Sequence, residues 1–146
     1  MAGGVRTYDP RACIITVGGI PLSGFTDGTF VEISRDEATW VKTIGADGYV
    51  TRGKTNNFSG SMIVTLKQFS PSNDVLSGFI TLDELTNTAI IPILVKDTSG
   101  NSTYFAAQGW VQSWATSPFG KDIADRQWTI ALAVLDLFVG SNAETN

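Results

Sequence analysis

Short segments in which apolar and polar residues alternate dominate the chain and predict a mainly β protein. Residues 29–35 place Val31 and Ile33 on one face, and residues 61–69 alternate in the same way. Each segment pairs one apolar face for a core with one polar face, as antiparallel strands do. Further strands are predicted at residues 12–17, 20–22, 90–96, 103–115 and 127–139, the last of them with a bend near Asp136.

One helix is predicted between these strands. Ser70 and Pro71 combine an N-cap residue with proline at the first helical position, and apolar residues then recur at helical spacing until about Asn87. The complete pattern predicts a β-sandwich or barrel of about eight strands with one flanking α-helix.

Residues 38–58 differ from the other strand segments because they carry few residues suited to a core. Two strand runs flank a turn at residues 46–48, and a polar stretch follows up to Ser59 and Gly60. We expect a long protruding hairpin or loop here, called the ribbon below.

The composition indicates a single domain, residues 1–146, and argues against catalysis. The chain has 146 residues, of which 42% are hydrophobic and 16% charged. This charge content is below the ~25% usual for soluble domains, so part of the surface is expected to face other protein. With no histidine and one cysteine, Cys13, we expect no disulfide, metal site, cofactor or enzymatic activity. Cys13 is interpreted as a buried small hydrophobe, and the polar tail 141–146 is expected to be flexible.

Charge and tryptophan placement refine the expected surfaces. The net charge of −4 makes the chain a poor candidate for holding nucleic acid. No apolar run approaches the ~20 residues that a membrane span needs. Trp110 and Trp128 lie in strand patterns and are predicted to be in the core. Trp40 and Trp114 have polar surroundings and are predicted to lie on a contact surface.

Several ordered motifs resemble the tail tube proteins of long-tailed phages, in particular a small structural-protein family of contractile-tailed phages. They include GADG at 45–48 with Arg52 and Lys54, SG at 59–60 before an alternating strand, and SPSNDVL at 70–76. ILVKD at 93–97 and FGK at 119–121 follow in the expected order, and the likeness runs from Tyr8 to Gly140.

This resemblance implies a structural virion protein whose hexameric rings stack into a hollow tube for DNA delivery. Neighbouring sheets would merge into an inner barrel, and the ribbon would reach an adjacent ring. DNA would pass through the lumen without specific binding. The implied partners are other copies, sheath, tape-measure and terminator proteins and the baseplate, and assembly would occur in the host cytoplasm. The expected ribbon contacts are Trp40, Lys42, Tyr49, Arg52, Lys54 and Phe58, and the lumen candidates are Glu32, Ser34, Ser61, Thr65 and Lys67.

Three alternatives remain open at this point. A tube protein of type VI secretion, Hcp, would share the fold but leave the cell through an injection machine. A monomeric β-sandwich could bind carbohydrate through Trp40 or Trp114. An enzyme is the third alternative. Rings or tubes of purified protein would favour the phage tail tube and the type VI tube over a monomeric binding module.

Overall fold

The computed structural model describes residues 5–6, 8–141 and 144–145 and confirms the mainly β prediction. The strands are β1 Val5–Arg6, β2 Cys13–Val17, β3 Ile20–Pro21, β4 Val31–Arg35, β5 Trp40–Ile44, β6 Val50–Lys54, β7 Gly60–Lys67, β8 Ile91–Asp97, β9 Thr103–Ser113, β10 Asp125–Leu132, β11 Asp136–Phe138 and β12 Glu144–Thr145, and the helix is α1 Ser72–Thr86.

Eight of these strands form one antiparallel sheet. Its order is β3-β2-β8-β9-β10-β7-β4, and β11 pairs with the first part of β9. The longest ladder joins β7 to β10, from Gly60 opposite Leu132 to Lys67 opposite Asp125. Strands β5 and β6 form a hairpin of their own, separate from this sheet. The predicted fold, with one helix and a protruding hairpin, is therefore confirmed.

The sheet curves around one hydrophobic core. Ile15 of β2 and Met62 of β7 belong to the same buried cluster, although three strands separate β2 from β7 in the sheet order. The helix adds Leu76 and Ile80 to this cluster. Burying each large side chain contributes about 1.5–3 kcal/mol, so the inner face holds the sheet closed against the helix. The opposite face of the sheet is left for other contacts.

The helix begins two residues after its predicted N-cap and ends where expected. Pro71 occupies the N-cap position and makes no side-chain capping bond. The Ser70 hydroxyl instead accepts from the Ser72 N–H at 3.2 Å and donates to the Ser23 carbonyl. Asn87 ends the helix with φ 57°, and its N–H donates to the Asp83 carbonyl. Ser70 thus links the helix to the segment after β3.

One of the two tryptophans predicted for the core is placed differently. Trp128 is 3% exposed, as predicted, and its indole N–H donates to Asn73 Oδ1 at 2.9 Å. Trp110 is only half-buried, because its neighbours Gly109 and Val111 are buried and alternation turns the indole to the other face of the sheet. Trp110 faces outward beside Ala131, its partner on β10.

Two smaller predictions concern Cys13, expected to be buried, and the tail 141–146, expected to be flexible. The Cys13 side chain is half-buried; burial, and then the charge of Asp97, raise the pKa of its thiol. Of the tail predicted to be flexible, residues 142, 143 and 146 lie outside the described residues, and Glu144–Thr145 pairs with Val5–Arg6. Within the described ranges, no helix is long and apolar enough to cross a membrane.

Candidate assembly surfaces

The ribbon is a two-stranded hairpin with every strand residue exposed. Trp40 lies opposite Lys54 at its base, and Ile44 lies opposite Val50 near its tip. Isolated two-stranded hairpins are marginally stable in water, and exposed apolar groups on them mark interaction sites. Its large apolar residues with their exposed fractions are Trp40 47%, Val41 57%, Ile44 62%, Tyr49 75% and Val50 62%.

A tight turn closes the ribbon, as predicted. The Gly45 N–H donates to the Tyr49 carbonyl at 2.9 Å, and the Gly48 N–H donates to the Gly45 carbonyl at 3.0 Å. Gly48 has φ 87°, in the left-handed region that glycine adopts without steric cost. The turn fixes the register of β5 on β6 and so decides which side chains share each ribbon face.

One face of the ribbon pairs an aromatic ring with a cation. The Arg52 guanidinium lies 4.1 Å from the centroid of the Trp40 ring, because Arg52 is opposite Lys42 and diagonal to Trp40. Such an exposed pair is worth about 0.5–1 kcal/mol. The Trp40–Arg52 contact orders two side chains on this face of the ribbon and leaves both exposed. Trp40 is also a large aromatic residue of the kind that anchors protein interfaces.

Phe58 lies at the base of the ribbon and not on its exposed part. Its half-buried ring has Arg35 at 4.9 Å on one side and Lys54 at 5.5 Å on another. Arg35 also donates through Nη2 to the Leu135 carbonyl at 2.8 Å, and the Leu135 N–H donates to the Phe58 carbonyl at 2.7 Å. Five of the six predicted contact residues are thus exposed on the hairpin, whereas Phe58 joins the ribbon to the body.

The ribbon and the rest of the chain carry opposite net charge. Residues 38–58 contain Lys42, Arg52, Lys54 and Asp47, which gives +2. Because the whole chain carries −4, the remaining residues carry −6. Opposite charges steer association and fix its register, so the acidic body of another copy is a suitable partner for the ribbon.

The five lumen candidates share one face of the sheet. Ser34 lies opposite Ser61 and Glu32 opposite Ile63, which places β4 and β7 side chains together. Along β7 the alternate residues are buried, whereas Ser61, Ile63, Thr65 and Lys67 on the other face are half-buried.

Strand β10 extends this polar face, which the sequence analysis missed. Gln127 lies opposite Thr65, and Asp125 lies opposite Lys67. Asp125 Oδ2 accepts from the Thr26 hydroxyl at 2.7 Å, and Asp125 Oδ1 lies 3.9 Å from Lys67 Nζ. The sequence carries the signal, because polar or small residues alternate with apolar ones from 127 to 132 and Asp125 continues the polar positions by one step.

Carboxylates outnumber cations on this polar face. Glu32 and Asp125 lie on it with one ammonium, that of Lys67. Asp36, just past β4, accepts from the Ser59 and Ser61 hydroxyls at 2.9 Å each. A fourth carboxylate, that of Asp27, has its Oδ2 3.9 Å from Lys67 Nζ. Four carboxylates and one ammonium give the face a net charge of −3, and such a surface repels nucleic acid.

Solved structures with similar folds come from contractile injection systems. A chain in the cryo-EM structure of the sheath/tube terminator of an extracellular contractile injection system, PVC, aligns with TM-score 0.64 and 16% identity over 91% of this chain and 97% of that chain. The tube-terminating cap of the anti-feeding prophage aligns with TM-score 0.65 and 13% identity over 98% and 96%. At these identities the likeness shows a shared fold and carries no further conclusion about function.

The sequence comparisons are more specific than the fold. The structural protein ORF10 of Pseudomonas phage KPP10 is 30% identical over 154 aligned residues, covering 100% of this chain and 89% of the phage protein. Residues 7–140 match the family of the bacteriophage PhiTE tail tube protein. The chain belongs to this phage tail tube family and is a structural component of the virion tail.

Proposed function

We propose that this chain assembles into hexameric rings that stack into a hollow tail tube, through which phage DNA enters the host. The ribbon carries the proposal: five large apolar residues are exposed on a hairpin that adds nothing to its own core, and its charge is opposite to that of the body. Such a segment gains stability by contacting a neighbouring copy.

The polar face of β4, β7 and β10 supports a role in lining the lumen. It combines small hydroxyl and amide side chains with a net negative charge, so DNA would slide past it without being retained. Glu32, Ser34, Ser61, Thr65 and Lys67 are the proposed lining, with Gln127 and Asp125 added from β10. The function proposed is mechanical and involves neither catalysis nor a cofactor.

The similar structures are those of a sheath-tube complex and of tube terminators. We extend these associations to this chain and propose that a contractile sheath and a tail terminator contact the finished tube. A tape-measure protein and a baseplate are the further partners that a tube of defined length needs, and assembly would take place in the host cytoplasm. Family membership favours this function over a secreted tube or a carbohydrate-binding module.

Replacing one carboxylate of the polar face by an ammonium is expected to make tubes retain more DNA. Glu32→Lys changes the face from −3 to −1 per copy and places an ammonium where the side chain is exposed. This variant should bind more short duplex DNA in its assembled tubes than the unsubstituted protein does. Added salt should remove the difference, because contacts with phosphates release counterions.

Asp74→Lys is the matched control, since it makes the same charge change on the exposed side of α1. It should leave DNA retention inside tubes unchanged. If the two variants bind DNA equally, the polar face is not the lumen.

Reversing the ribbon cations is expected to weaken assembly. In the variant Arg52→Glu with Lys54→Glu, two cations become carboxylates and the Trp40 contact with Arg52 is lost. A loss of about 1.4 kcal/mol would raise the concentration needed for assembly roughly tenfold. Sedimentation at several concentrations and salt levels measures the shift.

The control for this variant is Arg11→Glu with Lys121→Glu, which makes the same charge change at exposed positions outside the ribbon. Equal shifts in the two double variants would show that net charge alone governs assembly and that the ribbon has no special part in it.

A further inference from the structure

A pocket of about 390 Å³ lies beside α1 on the core side of the sheet. Residues of α1, of the segment 114–119 and of β10 form its walls, and no residue of the ribbon or of the polar face lines it. Strand β10 contributes Arg126 and Trp128, whereas the alternate positions of the same strand lie on the polar face. The volume is within the range of ligand pockets in proteins.

Arg126 is a buried cation whose guanidinium is poorly paired. The residue is 7% exposed, and it forms no ion pair with any carboxylate in the described part of the chain. Its Nη1 donates to the carbonyls of Ala124 and Asp125 at 3.4 and 3.5 Å, which are long hydrogen bonds. The half-buried Arg35, in contrast, donates to the Leu135 carbonyl at 3.1 Å from Nε and 2.8 Å from Nη2. Burial without an anion is costly for a cation, so Arg126 is suited to receive one.

The other two nitrogens of this guanidinium face the pocket. Nε and Nη2 of Arg126 make no hydrogen bond with a described residue. Within the described ranges no fully buried side-chain nitrogen or oxygen lacks a hydrogen-bond partner, so these two atoms are accessible to solvent. The accessible side is the pocket, because Arg126 lines it. Nε and Nη2 form one edge of the guanidinium fork, and such an edge matches the two oxygens of a carboxylate.

Two indole rings form fixed walls of the pocket. The Trp114 indole N–H donates to Glu84 Oε1 at 2.8 Å, and the Trp128 indole N–H donates to Asn73 Oδ1 at 2.9 Å. The ring centroids lie 6.1 Å apart. Because both indole N–H groups are already paired, the rings present apolar surface to a ligand, and their positions are set before it binds.

Exposed apolar side chains surround the guanidinium. Its central carbon lies 5.1 Å from the centroid of the Phe119 ring, which is largely exposed. Phe69 and Ile123 are exposed nearby, on two segments that are joined where Gln68 Oε1 accepts from the Ala124 N–H at 3.2 Å. Grouped exposed apolar residues mark interaction sites.

We propose that this pocket binds a carboxylate side chain from an acidic segment of a protein other than this chain. The carboxylate accepts from Nε and Nη2 of Arg126, and an apolar residue of the same segment packs against Phe119, Phe69 and Ile123. A glutamate or aspartate beside a large apolar residue is the chemistry that fits a buried cation with an apolar rim.

Charge and position favour another protein over a second copy of this chain. The ribbon is the segment proposed to reach a neighbouring copy, and it is an unsuitable occupant because it carries three cations and one carboxylate. The pocket and the polar face lie on opposite sides of the sheet, so the partner would contact a tube on the side away from the lumen. That location rests on the proposed function, whereas the binding site itself does not.

Titration of the unassembled chain with two peptides tests the site. The probe is acetyl-Gly-Phe-Glu-Leu-Gly-amide, and the control peptide has glutamine in place of glutamate. NMR of isotope-labelled protein follows the indole N–H signals of Trp114 and Trp128 and the Nε–H signal of Arg126. The glutamate peptide should shift these signals and bind roughly tenfold more tightly than the glutamine peptide, because glutamine cannot form charge-assisted hydrogen bonds with a guanidinium.

Three substitutions separate binding from folding. Phe119→Ala should weaken binding of the glutamate peptide, whereas Phe138→Ala, at an exposed position on β11, should leave it unchanged. Arg126→Met keeps an aliphatic side chain and removes the guanidinium, so the two peptides should then bind with equal affinity. Its melting temperature should be no lower than that of the unsubstituted chain, because a buried cation without an anion does not stabilise the fold.

Four results would overturn the site: equal affinity of the unsubstituted chain for the two peptides, no shift at millimolar peptide concentration, equal effects of the two phenylalanine substitutions, or a lowered melting temperature of Arg126→Met. Loss of tubes in a folded Arg126→Met variant would overturn the assignment to another protein and identify a second copy as the occupant. Failure of the unsubstituted protein to form tubes would overturn the proposed function and leave the peptide result unaffected.

Discussion

Replacing residues 40–54 by a two-residue Asn-Gly turn is expected to give a folded protein that no longer forms tubes. The ten strand residues of the ribbon are all exposed, and none belongs to the core cluster. The Thr55 N–H already donates to the Thr39 carbonyl at 2.9 Å, so Thr39 and Thr55 can flank a tight turn directly. We expect a change in the free energy of unfolding of less than about 1 kcal/mol.

Thermal unfolding followed by circular dichroism checks the fold of this variant, and sedimentation checks its assembly. Gly53→Ala is the matched control, because a Cβ at this position meets no atom within 4 Å and the ribbon stays complete. The control should assemble normally. Tubes from the shortened chain at the usual concentration would contradict the role assigned to the ribbon.

Met62→Ala is expected to destabilise the chain far more than Ile63→Ala. Met62 is fully buried between β4 and β10, so truncation leaves a cavity and costs about 2–5 kcal/mol. Ile63 lies on the polar face of the same strand and is already partly exposed. The melting temperature of Met62→Ala should therefore fall by roughly 5–15 °C, and that of Ile63→Ala by less than half as much.

This pair of substitutions compares the two faces of one strand within the same ladder. Calorimetry measures the melting temperatures of both variants at a protein concentration too low for tubes to form. Equal losses would mean that both faces are packed within one copy, and the polar face would then be no candidate for a lumen.

Local pattern predicted the strands whose two faces differ in polarity. Strand β7 matches the predicted segment closely because buried and half-buried residues alternate along all of it. The ribbon was predicted because a turn with Gly48 separates two strand runs that lack core residues. These features depend on neighbours in the sequence, so no knowledge of distant contacts was needed.

Features that depend on distant contacts were predicted less well. Residues 127–139 were expected to form one long strand with a bend near Asp136, but the strand is interrupted before that point, since β10 ends at Leu132 and β11 begins at Asp136. Between them Leu135 turns into the core, and its N–H bonds to the Phe58 carbonyl. Phe58 was predicted to be a contact residue of the ribbon, but it lies at the base of the ribbon. Its contacts with Arg35 and Leu135 join residues that are far apart in the sequence, so local pattern could not predict them.

The polar face was only half predicted. The β4 and β7 positions followed from alternation, but sequence patterns do not show that β10 pairs with β7. That ladder brings Asp125 beside Lys67 across more than fifty residues. Strand order is a property of the folded sheet and cannot be seen in the alternation along any single strand.

Electron microscopy of the purified full chain tests the central claim most directly. Concentrated protein in assembly conditions should give rings with sixfold symmetry and tubes with a hollow centre, and image reconstruction should place Glu32 and Thr65 on the inner wall. Monomers at every concentration, or filaments without a lumen, would contradict the account.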